Sequence, residues 1–266
     1  MSVPTLRPLS TGEILDVGFG VYRSHFSTLV TIAVLLSGVP LVIFTAVFLQ
    51  LMPSLLLNPA GLVLVIFLFA LVYVVLTQLT MGASVLVVAE GYMGRKLGAG
   101  EAIQRTVGRL GLLVLTAILF SLVVGLGTLL IVFPGIILLC GLVLTSQVVM
   151  LEPIKGGTEA MGRAWALSRG SRGRIFLLLI VAIVLTIVVA LGTSVLTAML
   201  PGGEIASAEP GELPIWTLII QQGVQVITNT IVAPLPYCIL TVAYYDLRVR
   251  KEGFDLEILA ARLQSG

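Results

Sequence analysis

Residues 61–89 read GLVLVIFLFALVYVVLTQLTMGASVLVVA, a stretch without a single charged side chain. An α-helix rises 1.5 Å per residue, so about 20 apolar residues are enough to cross the hydrocarbon core of a bilayer. This stretch is therefore long enough to form a membrane-spanning helix. The composition of the chain agrees, because 58% of its 266 residues are hydrophobic and 11% are charged. We expect an integral membrane protein rather than a soluble globular domain.

The charged residues outside this stretch divide the chain into further apolar tracts. The tracts that end at Glu90 and Glu152 are each long enough for two helices. Proline and glycine at residues 52–61 and 133–135 mark the expected turns within them. The pattern predicts an all-α, polytopic membrane bundle of six transmembrane helices. The expected spans lie near residues 28–51, 61–89, 110–132, 134–151, 175–199 and 215–245.

The positions of the basic residues predict the orientation of this bundle. All 15 Lys and Arg residues lie before the first span, between the second and third, between the fourth and fifth, or after the last. Basic loops resist translocation, so these segments are expected in the cytoplasm, with both termini inside. We expect a single integral membrane domain over residues 1–266, with a cytoplasmic tail at 246–266. The first ten residues lack an apolar run, so we expect no cleaved signal peptide.

Three polar segments that precede the first, third and fifth spans begin alike. Their first residues are Thr11-Gly12-Glu13, Ala99-Gly100-Glu101 and Gly157-Thr158-Glu159. Each segment starts with small residues and an acid and ends with a base, an order that suits the helix dipole. Apolar side chains fall on one face of the first segment, as in helices that lie in the membrane interface. The sequence thus predicts three repeats, each an interfacial amphipathic helix followed by a transmembrane hairpin.

Polar segments near both ends and in the middle of the chain carry a resemblance to a known family. They are Arg7-Pro8-Leu9-Ser10, Arg163-Ala164-Trp165 with Arg169-Gly170, and residues 244–257, YYDLRVRKEGFDLE. On these residues the chain resembles the bacterial glycerophosphoryl diester phosphodiesterase membrane-domain family over nearly its whole length. Some members of that family carry a soluble phosphodiesterase barrel, for which this sequence has no stretch of sufficient length. The resemblance therefore implies a membrane topology and a location in a bacterial cytoplasmic (inner) membrane. It does not imply an enzymatic activity.

The sequence lacks the patterns that usually accompany catalysis. Its one histidine, His25, lies beside Arg23 just before the first span, where a solvated interfacial side chain explains it. No CxxC, HExxH, Walker or GxSxG pattern occurs. Cys140 and Cys238 both lie inside predicted spans, which argues against disulfides. We expect no enzyme activity, no catalytic residues, no cofactor, no metal site and no nucleic-acid partner.

A polar face in the last span is the strongest polar feature inside the membrane. Its residues are Gln221, Gln222, Gln225, Thr228 and Asn229. Two interpretations remain open: the amides form interhelical hydrogen bonds that hold the bundle, or they line a polar cavity or substrate path. The lack of a charged residue favours the first, because ion and proton pathways usually include one. Candidate partners on other spans are Gln78, Thr80, Thr145, Ser146 and Gln147.

A basic set near the predicted interface forms a second candidate site. It consists of Arg163, Trp165, Arg169, Arg172, Arg174, Arg248, Arg250 and Lys251. Guanidinium groups suit phosphate and an indole suits the interface, so this set could hold anionic lipid head groups. The same bases are explained equally well by the positive-inside rule. Anionic membrane lipids are the partners expected from the first interpretation.

Two pairs of small residues within the spans permit close helix contact. They are Ser121-x-x-x-Gly125 and Ala190-x-x-x-Ser194, and they indicate packing within one chain or between chains. Other membrane proteins or a second copy of the chain are therefore expected partners. The leading hypothesis is a non-enzymatic accessory or scaffold subunit, or a lipid-organising membrane component. The alternative is a transporter or lipid-translocating protein that uses the polar face of the last span.

Overall fold

The structure is a computed structural model that describes residues 7–199, 215–254 and 256. Within these residues the chain is helical and forms no strand. A π-helical segment, Val34–Gly38, joins the second helix to the third. The α-helices are α1 (Thr11–Ser24), α2 (Phe26–Ala33), α3 (Val39–Leu56), α4 (Pro59–Tyr92), α5 (Ala99–Val107), α6 (Leu110–Leu130), α7 (Val132–Leu142), α8 (Thr145–Leu151), α9 (Gly157–Ser168), α10 (Arg172–Ala198), α11 (Ile215–Val232) and α12 (Pro234–Glu252).

Among the described residues, six helical stretches are long and apolar enough to cross a membrane, so the predicted all-α, six-span bundle is confirmed. Three of them combine more than one helical element: the first contains the π-helical segment, the fourth joins α7 to α8, and the sixth joins α11 to α12. The spans are Phe26–Phe48, Pro59–Tyr92, Leu110–Leu130, Val132–Leu151, Arg172–Ala198 and Gln222–Glu252.

The turns between paired spans lie beside, rather than at, the prolines that predicted them. Helix α3 continues through Pro53 for one more turn, and the first turn of α4 starts with Pro59. Proline is well placed there, because the first helical N–H groups have no partner within the helix. The Asn58 side chain caps α4 by accepting a hydrogen bond from the Gly61 N–H at 3.1 Å. In the next hairpin the extended residue is Ile131, just before α7.

The last span differs from the expected range 215–245 at both its middle and its end. Helices α11 and α12 meet at Ala233, because Pro234 has no N–H to continue the hydrogen-bond ladder of α11. Helix α12 then runs to Glu252 and ends at Gly253, whose φ of 63° is the left-handed conformation that glycine adopts readily. Residues 246–252 therefore belong to the helix and not to a tail.

Buried residues concentrate at one end of the bundle, which we call the basic end. The first, third and fifth spans begin there, and the second, fourth and sixth end there. In α4 every buried residue lies between Leu79 and Tyr92, and none lies in residues 59–78. Residues 238–247 of α12 are all buried. The bundle is thus tightly packed at its basic end and exposes apolar side chains at the other, where lipid is a suitable solvent.

Helices α1, α5 and α9 lie just before the first, third and fifth spans, where the polar segments predicted helices. Helix α1 begins with a capping box, in which Ser10 and Glu13 each accept a hydrogen bond from the other's backbone N–H. Its buried residues face α12 across Gly18, and a Cβ at Gly18 would lie 3.3 Å from the Cα of Ile239. Helix α1 is therefore packed on the bundle and closes its basic end.

Candidate functional site

A cluster of charged side chains around Asp246 ties both ends of the chain together. The Asp246 carboxylate is 1% exposed and accepts a hydrogen bond from the Leu9 backbone N–H at 2.7 Å. It also lies 2.8 Å from Nη1 of Arg174 and 3.0 Å from Nε of Arg250. Both arginines donate to the Leu9 carbonyl oxygen, Arg250 at 2.6 Å. We call these four residues the Asp246 cluster; its buried carboxylate is fully paired, as burial of a charge requires.

A second group of side chains, the Glu152 cluster, joins α8, α9 and α12. Glu152 accepts hydrogen bonds from the Tyr244 hydroxyl at 2.8 Å and from Nε of Arg163 at 2.7 Å. Arg163 also donates to Glu252 at 2.8 Å, and Glu252 accepts from Nε of Arg248 at 3.0 Å. The carboxylates of Glu252 and Glu152 raise the pKa of Arg163 above its already high ordinary value. Arg163 is therefore a permanent cation that bridges two carboxylates.

Another arginine, Arg109, forms hydrogen bonds with the backbone at the end of α8. Nη1 of Arg109 donates to the carbonyl oxygens of Val149 at 2.5 Å and Glu152 at 2.6 Å. The last carbonyls of a helix have no partner within it and carry partial negative charge, so a guanidinium there both satisfies and stabilises them. Glu90 pairs more loosely with Arg105 at 3.4 Å and Arg95 at 3.6 Å, both half or more exposed. Such exposed pairs contribute little.

The structure places most of the predicted head-group site in internal contacts. Arg163, Arg174, Arg248 and Arg250 all pair with carboxylates of the two clusters. Lys251 donates to the carbonyl oxygens of Ala166, at 3.2 Å, and Arg169.

The remaining members of that set lie at the junction of α9 and α10. The guanidinium of Arg172 stacks 3.6 Å from the Trp165 ring centroid. Arg169 is exposed. These two bases and the tryptophan, together with Lys251, are the part of the predicted site that stays outside the ion pairs of the two clusters.

The polar face of the last span meets the first span at its π-helical segment and at α3. Nε2 of Gln222 lies 3.5 Å from Oγ1 of Thr45, at the limit of a hydrogen bond. Gln225 and Thr228 are half-buried, whereas Asn229 is exposed. The side chain of Gln221 lies outside the described residues.

Other polar groups line a cavity of about 330 Å³ among α4, α6, the α7–α8 break and α12. They include Gln78, Ser146 and Gln147, which the sequence offered as partners of the Gln221–Asn229 face, but none of the described side chains of that face lines the cavity. Gln147 is 1% exposed. Within the described ranges, Oε1 of Gln147 and Oε1 of Gln78 are buried without a hydrogen-bond partner. Amides in an otherwise apolar span were the sequence signal for this site.

The single histidine packs at the corner between α1 and α2. Its Nδ1 lies 2.8 Å from the Ser24 hydroxyl and 3.2 Å from the Val21 carbonyl oxygen. The imidazole fits against α4 because Gly91 lacks a side chain: a Cβ there would lie 2.6 Å from Cε1 of His25. The part of the chain that the structure describes holds no group of three or more His, Cys, Asp and Glu side chains placed to bind a metal.

Comparisons of the chain with models of known protein families, with curated proteins and with solved structures find no match.

Proposed function

We propose that this chain is a non-enzymatic accessory or scaffold subunit that packs against other membrane proteins through its spans. In this proposal it lies in the cytoplasmic membrane of a bacterium, with its basic end and both termini in the cytoplasm. The distribution of the 15 Lys and Arg residues supports that orientation. The exposed bases, among them Arg169, Arg95 and Lys96, are available at that end to anionic lipid head groups.

The observation that carries the proposal is the exposure of both small-residue pairs. Ser121 and Gly125 on α6 are exposed, as are Ala190 and Ser194 on α10. A Cβ at Gly125 would meet no described heavy atom within 4 Å outside its own helix backbone. The described helices of this chain therefore leave these faces unused. In lipid, helices associate where small residues let their backbones approach, so such faces suit a helix of another protein.

The roles of the ionisable groups also support a non-enzymatic function. Glu152, Glu252 and Asp246 each accept at least two hydrogen bonds, and each accepts at least one from another part of the chain: Glu152 from Arg163 and Tyr244, Glu252 from Arg163, and Asp246 from Arg174 and the Leu9 backbone. These contacts connect structural elements and orient no nucleophile or general base toward a cavity. The carboxylates thus stabilise the packing of the helices at the basic end.

The proposal extends to the family that the sequence resembles. Residues that carry the resemblance come from distant parts of the chain, yet Leu9, Arg163, Asp246 and Glu252 meet in the two clusters of the basic end. In a membrane domain without catalytic groups, the residues of a shared sequence pattern are expected to stabilise the fold, and these residues do so by contacting one another. This convergence supports membership in the glycerophosphoryl diester phosphodiesterase membrane-domain family.

Site-specific photo-crosslinking in native membranes tests the proposal. A photoreactive amino acid at Ser121 or Gly125 is expected to give a discrete protein adduct, which purification and mass spectrometry identify. Leu122 and Leu126 are the matched controls, since they are exposed one residue further around the same helix. Lipid adducts alone at all four positions would refute the accessory-subunit role.

A second candidate function, transport of a neutral solute, is favoured by a different observation. The cavity of about 330 Å³ lies beside the breaks in the fourth and sixth spans, and discontinuous spans are typical of transporter binding sites. Glycerol uptake by reconstituted vesicles, followed by light scattering, tests it. We expect Gln147→Leu to abolish uptake, and alanine at Gln222, Gln225 and Asn229 to leave it unchanged. A rate equal to that of protein-free vesicles would exclude transport of this probe.

A further inference from the structure

The cavity beside Gln147 lies among apolar spans, and one of its lining residues, Ser121, is exposed on α6. Four helical elements enclose it: α4, α6, the α7–α8 break and α12. Ser121, at one edge, is exposed on the outer face of α6, and Phe120 beside it is half-buried. A molecule dissolved in the bilayer can therefore reach the cavity sideways, between α6 and its neighbours. The volume of about 330 Å³ falls within the range of small-molecule sites.

Half of the described residues that line the cavity are polar, and none of these lining residues is Asp, Glu, Lys, Arg or His. The polar groups are two amides, of Gln78 and Gln147, and four hydroxyls. The apolar lining residues, which alternate with the polar ones along the helices, are Met81, Ala117, Phe120, Leu142, Val143 and Leu240. Such a lining selects against ions, because a charge in an apolar, membrane-embedded cavity would lack a counter-charge.

Hydrogen-bond acceptors are the groups that this cavity leaves unsatisfied. Oε1 of Gln147 and Oε1 of Gln78 have no partner within the described residues, although both atoms are buried. The Thr116 hydroxyl already donates within its own helix, to the carbonyl oxygens of Leu112 and Leu113 at 2.9 Å. Buried polar atoms are nearly always paired in folded proteins. The side-chain oxygens of Gln78 and Gln147 can therefore each accept a hydrogen bond from a donor outside the described residues.

We propose that this cavity binds a neutral, membrane-soluble alcohol or phenol whose hydroxyl group donates to the side-chain carbonyl of Gln147 or Gln78. The apolar body of the ligand packs against apolar lining residues such as Phe120 and Leu142. Water alone satisfies the amides but gains no hydrogen bond from these apolar residues, since an ordered water needs two to four polar contacts. The site requires neither a protein partner nor transport, and so it goes beyond both proposed functions.

Photolabelling with a matched pair of probes tests the inference. The first probe is decanol bearing a diazirine in its chain, and the second is the methyl ether of the same molecule, which keeps its length but cannot donate a hydrogen bond. Each is added to the purified chain in lipid discs, illuminated, and located by mass spectrometry of peptides from α6 and α12. We expect the alcohol to label the cavity-lining residues about tenfold more than the ether, the ratio that one net hydrogen bond gives.

Two variants separate binding from folding. Gln147→Leu removes the acceptor and is expected to make labelling by the two probes equal. Ala117→Phe fills the cavity while leaving both amides in place, and is expected to abolish labelling there by either probe. The melting temperature of each variant is recorded. Gly125→Leu serves as a control that should label like the wild type, because Gly125 does not line the cavity and a Cβ there would meet no described heavy atom within 4 Å outside its own helix backbone.

Two results would overturn the inference. Equal labelling of the wild type by alcohol and ether would mean that the amide oxygens of the cavity do not bind a ligand hydroxyl group. Unchanged labelling in a folded Ala117→Phe protein would mean that the probes attach elsewhere on the membrane face. Neither result bears on the accessory-subunit role, which the crosslinks at Ser121 and Gly125 test separately.

Discussion

Arg174 and Asp246 are 72 positions apart in the sequence, and their side chains form an ion pair 2.8 Å long at the basic end of the bundle. The same carboxylate holds the backbone of Leu9, so one side chain joins the N-terminal segment, the start of α10 and the second half of α12. The Asp246 side chain therefore holds the N-terminal segment, α10 and α12 together at the basic end. The Asp246 cluster is the point at which the first and last parts of the chain become one structure.

Replacement of Asp246 by asparagine is expected to lower the free energy of unfolding by about 3 kcal/mol. The change leaves Arg174 and Arg250 close together without their carboxylate, and breaking a buried ion pair by removing one partner is strongly destabilising. Unfolding in mixed detergent micelles measures the loss. Asp16→Asn is the matched control, because Asp16 is exposed on α1 and such surface changes stay within about 0.5 kcal/mol. Equal effects of the two substitutions would contradict the structural role of Asp246.

The adjacent tyrosines Tyr244 and Tyr245 are expected to respond differently to loss of their hydroxyl groups. Tyr244 donates to the Glu152 carboxylate at 2.8 Å, whereas Tyr245 stacks with Tyr92 at 5.3 Å between ring centroids. A hydrogen bond to a charged group contributes about 2 kcal/mol, so Tyr244→Phe should destabilise the chain by that amount. Tyr245→Phe keeps its stacking and should change stability by less than about 0.5 kcal/mol. The same unfolding assay compares them, and a larger effect at Tyr245 would rule out this assignment.

The first turn of α1 is expected to loosen in acid. The Ser10 backbone N–H, the Arg7 side chain and the Ser10 hydroxyl lower the pKa of Glu13 from 4.5 to about 2. Because the folded pKa is depressed, the stabilisation is complete above the unfolded value of 4.5 and is lost as the pH falls from there toward 2. Hydrogen exchange of the α1 amides, corrected for the intrinsic pH dependence, should show reduced protection over this range.

Glu13→Gln provides the control for that measurement. Glutamine also completes a capping box but does not titrate, so its protection should be independent of pH. A wild-type protein whose α1 protection follows that of Glu13→Gln at every pH would show that the Glu13 charge does not hold the helix start.

The six spans could be predicted from the sequence because the lipid hydrocarbon disfavours charged side chains along the whole length of a span. Stretches such as 61–89 must lack charges and must exceed a minimum length, and both properties are local. The ends of the spans were less predictable, since they depend on contacts made elsewhere. Asp246 and Arg250 looked like the start of a polar tail, yet α12 continues past them because each finds a partner across the bundle or on its own helix.

The polar sites were harder to foresee than the spans, because a side chain's type does not specify its partner. Arg163 and Arg174 have the same chemistry as a head-group ligand, and only the long-range contacts with Glu152 and Asp246 assign them to structural clusters. The sequence offers Gln147 as a candidate partner of the Gln221–Asn229 face. The fold instead sets Gln147 in a separate cavity with Gln78, a pairing that depends on how α4 packs against α8.

Substitutions at two glycines of α1 distinguish the effect of packing against α12 from the effect of helix propensity. A Cβ at Gly18 would lie 3.3 Å from both Cα and Cγ1 of Ile239, whereas a Cβ at Gly20 would meet no heavy atom within 4 Å outside its own helix backbone. Leucine has a higher helix propensity than glycine, so Gly20→Leu should leave stability unchanged or raise it by up to about 1 kcal/mol.

Gly18→Leu gains the same propensity but must push α1 away from the α12 backbone, at a cost of about 1–3 kcal/mol. Displacing α1 also pulls on Leu9, so hydrogen exchange of the Leu9 amide, which donates to Asp246, should become faster in Gly18→Leu and stay unchanged in Gly20→Leu. If both variants protect this amide as well as the parent does, α1 is not held in place by its close approach to Ile239, and the Asp246 cluster alone must anchor the N-terminal segment.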